Sequence, residues 1–155
     1  MNIVYFLAYL VLWPVFRICK PTKCINKKNF PEGGALLCAN HTRMSDPLFV
    51  AYALGLILKW GGIFGVKRGQ ADIGAIKTAM KYLKNGELLL IFPEGTRHQD
   101  GDMGDAKTGA AMLAVRTGVP IVPIYIPAEK RWFRWNQVVI GEPYHPVTAG
   151  KRATP

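Results

Sequence analysis

The sequence predicts an α/β fold: a mixed, largely parallel sheet flanked by helices, set behind an N-terminal apolar helix. Two patterns predict the sheet. Apolar runs of strand length alternate with longer segments of helical periodicity, the order that builds parallel strands joined by helical crossovers. Two of those runs lead straight into clusters of His, Asp, Glu and Arg, and α/β folds gather such groups at the carboxyl ends of strands. A third pattern sets the front of the chain apart. Residues 1–16 carry no charged side chain, and Arg17, Lys20, Lys23, Lys27 and Lys28 come directly after them.

As a helix, residues 1–16 would measure about 24 Å at about 1.5 Å per residue, against a hydrocarbon core of about 30 Å. Pro14 sits near the end of the run. The segment therefore reads as a membrane-anchoring helix, embedded or barely spanning. A signal peptide fits less well: no Lys or Arg precedes the run, and no small-residue cleavage site separates it from the basic stretch. The basic cluster places the rest of the chain on the cytoplasmic side. Residues 1–28 thus form an anchor and basic juxtamembrane segment, and residues 29–155 one folded domain.

Residues 29–34, with Pro31, Gly33 and Gly34, mark the turn that opens the domain. Residues 35–39 read as a buried strand running into Asn40 and His41. Residues 48–58 are apolar and helical in character, and 61–66 read as a strand ending at Lys67 and Arg68. Over 71–84, Ile73, Ile76, Ala79, Met80 and Leu83 share a helical face, and Asn85 and Gly86 stop the helix. Residues 88–92 form a compact apolar strand, and 98–104 a polar loop. Residues 108–117 form a further helix closed by Gly118. Two more strands are expected, over 119–126, despite two prolines, and over 138–140.

At 155 residues the chain fits one domain with a real core. Half its residues are hydrophobic and 11% aromatic, which excludes bulk disorder. A net charge of +10 calls for an anionic partner: nucleic acid, anionic lipid or a phosphorylated substrate. Nucleic-acid modules interleave stacking aromatics with basic residues. Here Tyr5, Phe6, Tyr9, Trp13 and Phe16 sit in the apolar run instead. A membrane surface is the favoured partner, and nucleic acid is not expected. The three cysteines, Cys19, Cys24 and Cys38, have no metal spacing. Cys38 reads as a small core residue. Cys19 and Cys24 are able to form a disulfide, but thiols in a reducing compartment are the simpler reading.

Two constellations carry chemistry. His41 and Asp46 directly succeed a predicted strand. A histidine held in the right tautomer takes a proton from an alcohol, and a neighbouring carboxylate fixes that tautomer and stabilises the imidazolium. Taken alone, the pair reads rather as a structural His with Asp46 capping the next helix. Phe92, Pro93, Glu94, Gly95, Thr96 and Arg97 again sit at a strand end. Gly95 lets backbone approach a ligand closely, Arg97 offers planar donors suited to phosphate, and Glu94 is placed to orient Arg97 or a substrate hydroxyl. Taken alone, this is a tight turn with solvated charges.

Together, Asn40-His41 with Asp46 after them, and then Phe92-Pro93-Glu94-Gly95-Thr96-Arg97 some fifty residues on, resemble the glycerolipid acyltransferases. These are the 1-acylglycerol-3-phosphate acyltransferases and their relatives, with their His-x-x-x-x-Asp signature. Further segments agree. Phe30-Pro31-Glu32-Gly33-Gly34 is similar to the lead-in to the first motif, and Gly61-Gly62-Ile63-Phe64-Gly65-Val66-Lys67-Arg68-Gly69 to the second. Lys107-Thr108-Gly109-Ala110-Ala111 resembles the segment after the third, and Val119-Pro120-Ile121-Val122-Pro123-Ile124 the fourth. Ile140-Gly141-Glu142-Pro143 resembles the late strand, so the likeness runs from about residue 30 to residue 143.

The resemblance implies an enzyme that moves a fatty acyl group from acyl-CoA or an acylated carrier protein to lysophosphatidate, forming phosphatidate in phospholipid biosynthesis. It implies His41 as general base on the acceptor hydroxyl and Asp46 as its orienter, with no covalent acyl-enzyme, cofactor or metal. It implies Arg68 and Arg97 as phosphate ligands, Glu94, Gly95 and Thr96 shaping the site, and Lys107 as a further binding candidate. Only residues 51–60 join the first two motifs, fewer than the family usually has, and the chain stops soon after residue 143. Another lysophospholipid or amino-lipid acceptor therefore stays open, as does a catalytically silent membrane-binding relative.

Other groupings give less. Ser45 with His41 and Asp46 suggests a hydrolase triad, but Gly-x-Ser-x-Gly is absent and the three crowd one turn. His98, Asp100, Asp102 and Asp105 depart from the EF-hand order and read as a solvated turn. Trp132-Phe133-Arg134-Trp135 fits an interfacial patch or ordinary packing beside a strand equally well.

Overall fold

Apolar runs become strands here, and the most continuous run takes the most buried place. The computed structural model describes residues 14–15, 17–43, 45–53, 72–94, 109–146, 148–149 and 152–153. Its main sheet holds β1 (Thr22–Ile25), β2 (Ala35–Ala39), β3 (Leu88–Ile91), β4 (Ile121–Tyr125) and β5 (Asn136–Ile140), in the order β1-β5-β4-β2-β3. β2 pairs in parallel with β3 and β4, β1 pairs in parallel with β5, and β4 pairs antiparallel with β5. The sheet is mixed and largely parallel, as expected. Among the described residues three helices flank it: α1 (Asp46–Ala53), α2 (Ile73–Lys84) and α3 (Gly109–Thr117). A short antiparallel pair comes last, β6 (Thr148–Ala149) with β7 (Arg152–Ala153).

β2 is apolar throughout because both of its faces are covered. Leu36 points to the face where Ala79 and Leu83 of α2 and Leu113 and Ala114 of α3 pack. Ala35, Leu37 and Ala39 point to the other face, against Val50 of α1 and Val122, Ile124, Val138 and Ile140 of the neighbouring strands. β4 survives its proline: the Pro123 carbonyl accepts from the Gly141 N–H at 2.8 Å, and the ladder to β5 covers only Ile124 and Tyr125.

The Asp72 carboxylate caps α2, accepting from the Ala75 N–H at 3.0 Å, an arrangement typically worth about 1 kcal/mol. Of the predicted apolar face of α2, Ala79 and Leu83 are buried, but Ile73 is 65% exposed. A helical side chain leans over the turn before it, and Ile73 heads its helix, so it overhangs. α3 closes as predicted, with Gly118 at φ 73 donating to the Ala114 carbonyl at 2.8 Å.

Several expectations fall on residues outside the described ones: most of the anchor, the strand over 61–66, the loop over 98–104 and the far part of the 48–58 helix. Residues 14–15 and 17–19 are helical. Among the described residues no helix is long and apolar enough to cross a membrane. β1, within the basic segment, is a strand that hydropathy did not announce. The cysteines carry no disulfide, and burial pushes the Cys38 thiol up to about 11.

Candidate active site

β2 ends at Ala39 and α1 begins at Asp46, so the chain turns from the sheet edge into α1 within six residues. Asn40 fixes the start of this turn. Its side chain donates to the Ile126 carbonyl at 2.8 Å and accepts from the Ile126 N–H at 2.7 Å, which ties the exit of β2 to the exit of β4. Asp46, the first residue of α1, fixes the far side. Its Oδ2 accepts from the backbone N–H groups of Thr42 and Arg43, both at 2.7 Å. The carboxylate thus folds the loop around itself, and it is fully buried.

His41 lies between these two clamps. Its Nδ1 is 3.2 Å from Asp46 Oδ2. The ring stacks on Phe92 with centroids 4.2 Å apart and planes inclined at 28°. The parallel register sets Cys38 opposite Ile91, with His41 three positions past the one and Phe92 one position past the other, so both leave the sheet at the same edge. The His41 side chain retains 18% exposure. Asp46 and Phe92 therefore hold the imidazole, and part of the ring stays open to solvent.

Lys130 completes the site, and sequence reasoning did not reach it. Its ammonium lies 2.5 Å from Asp46 Oδ1, with both side chains essentially buried, and it donates to Thr42 Oγ1 at 3.2 Å. Burial by itself would raise the Asp46 pKa. The Arg43 N–H, the Lys130 hydrogen bond, the Thr42 N–H and the Lys130 charge together outweigh burial and hold the carboxyl below its ordinary value. An ionised carboxylate only accepts, so Nδ1 of His41 donates in this pair, and in the neutral ring the lone pair is on Nε2.

More positive charge surrounds the site. The ammonium groups of Lys20 and Lys130 lie 5.7 Å and 5.5 Å from the centroid of the buried Phe49 ring. Burial, then the Arg43 and Lys130 charges, lowers the Lys20 pKa. Of the second constellation, Glu94 is 6% exposed, just beyond the Phe92 ring that His41 stacks on. Arg68, Gly95, Thr96, Arg97 and Lys107 lie outside the described residues. Among the described residues no group of three or more His, Cys, Asp or Glu side chains is placed to hold a metal ion.

Comparison with known proteins identifies the family. Residues 54–127 match the family model described as Acyltransferase. The chain is 30% identical over 148 residues to a 1-acyl-sn-glycerol-3-phosphate acyltransferase of Bacillus subtilis, covering 79% of this chain and 73% of that one. It is 43% identical over 117 residues to the Pseudomonas aeruginosa protein of the same name, covering 68% and 44%. The crystal structure of the lysophosphatidate acyltransferase PlsC from Thermotoga maritima superposes with a TM-score of 0.57 at 27% identity, over 84% of this chain and 64% of that one. The chain spans about half the length, or less, of the first relatives it matches. The family expected from the motifs is the one found: this chain belongs to the acyltransferase family that holds the 1-acyl-sn-glycerol-3-phosphate acyltransferases.

Proposed function

We propose that this chain transfers a fatty acyl group from a thioester, on coenzyme A or a carrier protein, to the free hydroxyl of lysophosphatidate, giving phosphatidate. The observation that carries the reading is the His41–Asp46 bond at 3.2 Å over a carboxylate that the Arg43 N–H, Lys130 and the Thr42 N–H together keep ionised. His41 Nε2 takes the hydroxyl proton as the oxygen attacks the thioester carbonyl. Asp46 holds the tautomer and stabilises the imidazolium. Collapse of the tetrahedral intermediate breaks the carbon–sulfur bond, and the imidazolium returns its proton to the departing thiolate. The reaction needs neither metal nor redox cofactor.

Arg68 and Arg97 bind the acceptor phosphate in this reading, Glu94, Gly95 and Thr96 shape the site, and Lys107 adds positive charge. The uncharged run over 1–16 and the basic residues after it support attachment to a membrane with the folded domain on the cytoplasmic face.

Purified protein in detergent, given acyl-CoA or acylated carrier protein with and without lysophosphatidate, is expected to release thiol only with the acceptor. His41→Ala is expected to lower kcat by about 10²- to 10⁴-fold while leaving the fold intact by circular dichroism. Turnover retained in His41→Ala would remove the base assignment, and no release with either donor would remove the activity.

A further inference from the structure

We infer that the turn 131–135, with the segment leading into β1, is a bilayer-docking surface at the catalytic edge of the sheet. This deepens the membrane attachment proposed above and rests on it. Three aromatic side chains in four positions point outward: Trp132 is 63% exposed, Phe133 70% and Trp135 56%. Ile18, on the adjoining segment, is 67% exposed. Large apolar side chains grouped like this mark an interaction surface, and Trp in particular settles at the boundary between headgroup and hydrocarbon.

The turn is built to hold them outward. The Asn136 amide donates to the carbonyls of Arg131 and Arg134 at 3.0 and 3.1 Å, and its oxygen accepts from the Arg131 N–H at 2.8 Å. Phe133 sits at φ 54, a conformation that a bulky residue adopts only when its surroundings impose it. Its N–H donates to the Cys19 carbonyl and the Asn136 N–H to the Pro21 carbonyl, both at 2.7 Å. The turn and the segment before β1 are therefore one unit.

Charge points to the occupant. Lys20 lies 4.3 Å from the Trp132 ring centroid and Lys23 lies 4.8 Å from that of Trp135. Arg17, Arg131 and Arg134 are exposed, and no Asp or Glu occurs over 1–31 or 130–141. Aromatics interleaved with cations also suit nucleic acid, but here they adjoin an uncharged apolar run over 1–16, and that combination matches a bilayer that carries anionic phospholipid. Topology adds the position. β1 runs parallel to β5 and β5 antiparallel to β4, so β1 and β5 begin at the edge where β2, β3 and β4 end. His41 lies at that edge, and the segment from Ile126, held by Asn40, through Lys130, held by Asp46, leads directly into the aromatic turn. The surface would set the mouth of the site against the layer that holds a lipid acceptor.

The test uses the full chain with Trp13 and Trp60 replaced by phenylalanine, leaving Trp132 and Trp135 as the reporters. Vesicles contain phosphatidylcholine brominated on its acyl chains and phosphatidylglycerol at about one third. Expected are co-sedimentation with the vesicles and fluorescence quenching that unbrominated vesicles do not give. The triple change Trp132→Ser, Phe133→Ser, Trp135→Ser should lower vesicle partitioning on the order of tenfold. Co-sedimentation without quenching would overturn this surface while leaving the membrane attachment standing. No co-sedimentation would overturn both. A fluorescence change with acylated carrier protein and none with vesicles would assign the surface to a protein partner instead. The quenching arm leaves the aromatic turn intact, so it decides even where the triple variant folds poorly.

Discussion

Removing the Lys130 ammonium leaves the Asp46 carboxylate buried with the donors on its Oδ2 and no cation on its Oδ1. Breaking a buried pair in this way costs about 3–5 kcal/mol, so Lys130→Met should lower stability by that order in urea unfolding at pH 7. The direction of the shift sets the pH dependence. The folded Asp46 pKa is lowered, so its stabilising contribution is present above the unfolded value of about 3.9. That contribution is lost as pH falls through the still lower folded value. The gap between wild type and Lys130→Met should therefore narrow below about pH 4, and Asp46→Asn with Lys130→Met should lose less than the two single changes summed. A gap independent of pH would remove the charge pairing from the account. His41 and Asp46 were legible because their spacing is local. Lys130 was not: between exposed Glu129 and Arg131 it reads as part of a solvated charge run. Only its bond to Thr42, 88 positions away, distinguishes it.

The elements were legible in proportion to their burial. β2 declares itself because a strand covered on both faces must be apolar throughout, and α2 because one face lies on the sheet. β1 was hidden because it ends the described strand order, where a sheet tolerates an exposed lysine such as Lys23. Close approach between elements was hidden too. A Cβ on Gly34 would lie 2.8 Å from the Leu83 carbonyl oxygen and 3.0 Å from the Gly86 Cα, so the end of α2 packs directly on the backbone leading into β2. Gly34→Ala should cost about 1–3 kcal/mol through overpacking, because backbone atoms are what must move. Gly109→Ala, with nothing among the described residues within 4 Å of its added methyl, is the control, and thermal unfolding of the two variants should separate them. Equal midpoints would mean the α2–β2 contact is looser than these distances.

At the scale of the molecule, the charge of +10 matters through its placement. Basic residues precede β1, cluster around Phe49 and flank the aromatic turn, all toward the edge where His41 lies. Such a field attracts anionic surfaces and is screened within about 10 Å at 0.1 M salt. Sedimentation with phosphatidylglycerol vesicles should therefore fall as sodium chloride rises from about 0.05 to 0.5 M, with little change on purely zwitterionic vesicles. Salt-insensitive binding to both would assign attachment to apolar burial alone. Composition alone calls for an anionic partner. The gathering of these charges at one edge came from topology, because β5 reverses direction and brings the start of β1 to the ends of β2 and β4.

The pairing of β1 with β5 also sets an order of events during synthesis. Asn136 bonds Pro21 across 115 positions, so β1 leaves the ribosome long before its partner strand exists. At about 5–20 residues per second, the interval is several seconds. Through it, β1 has only water for its ladder, and closing so distant a contact is slow. The basic and apolar residues ahead of β1 are available to a surface for that whole time. Translation delivers β1 first, and the strand that fastens it to the sheet last of the five.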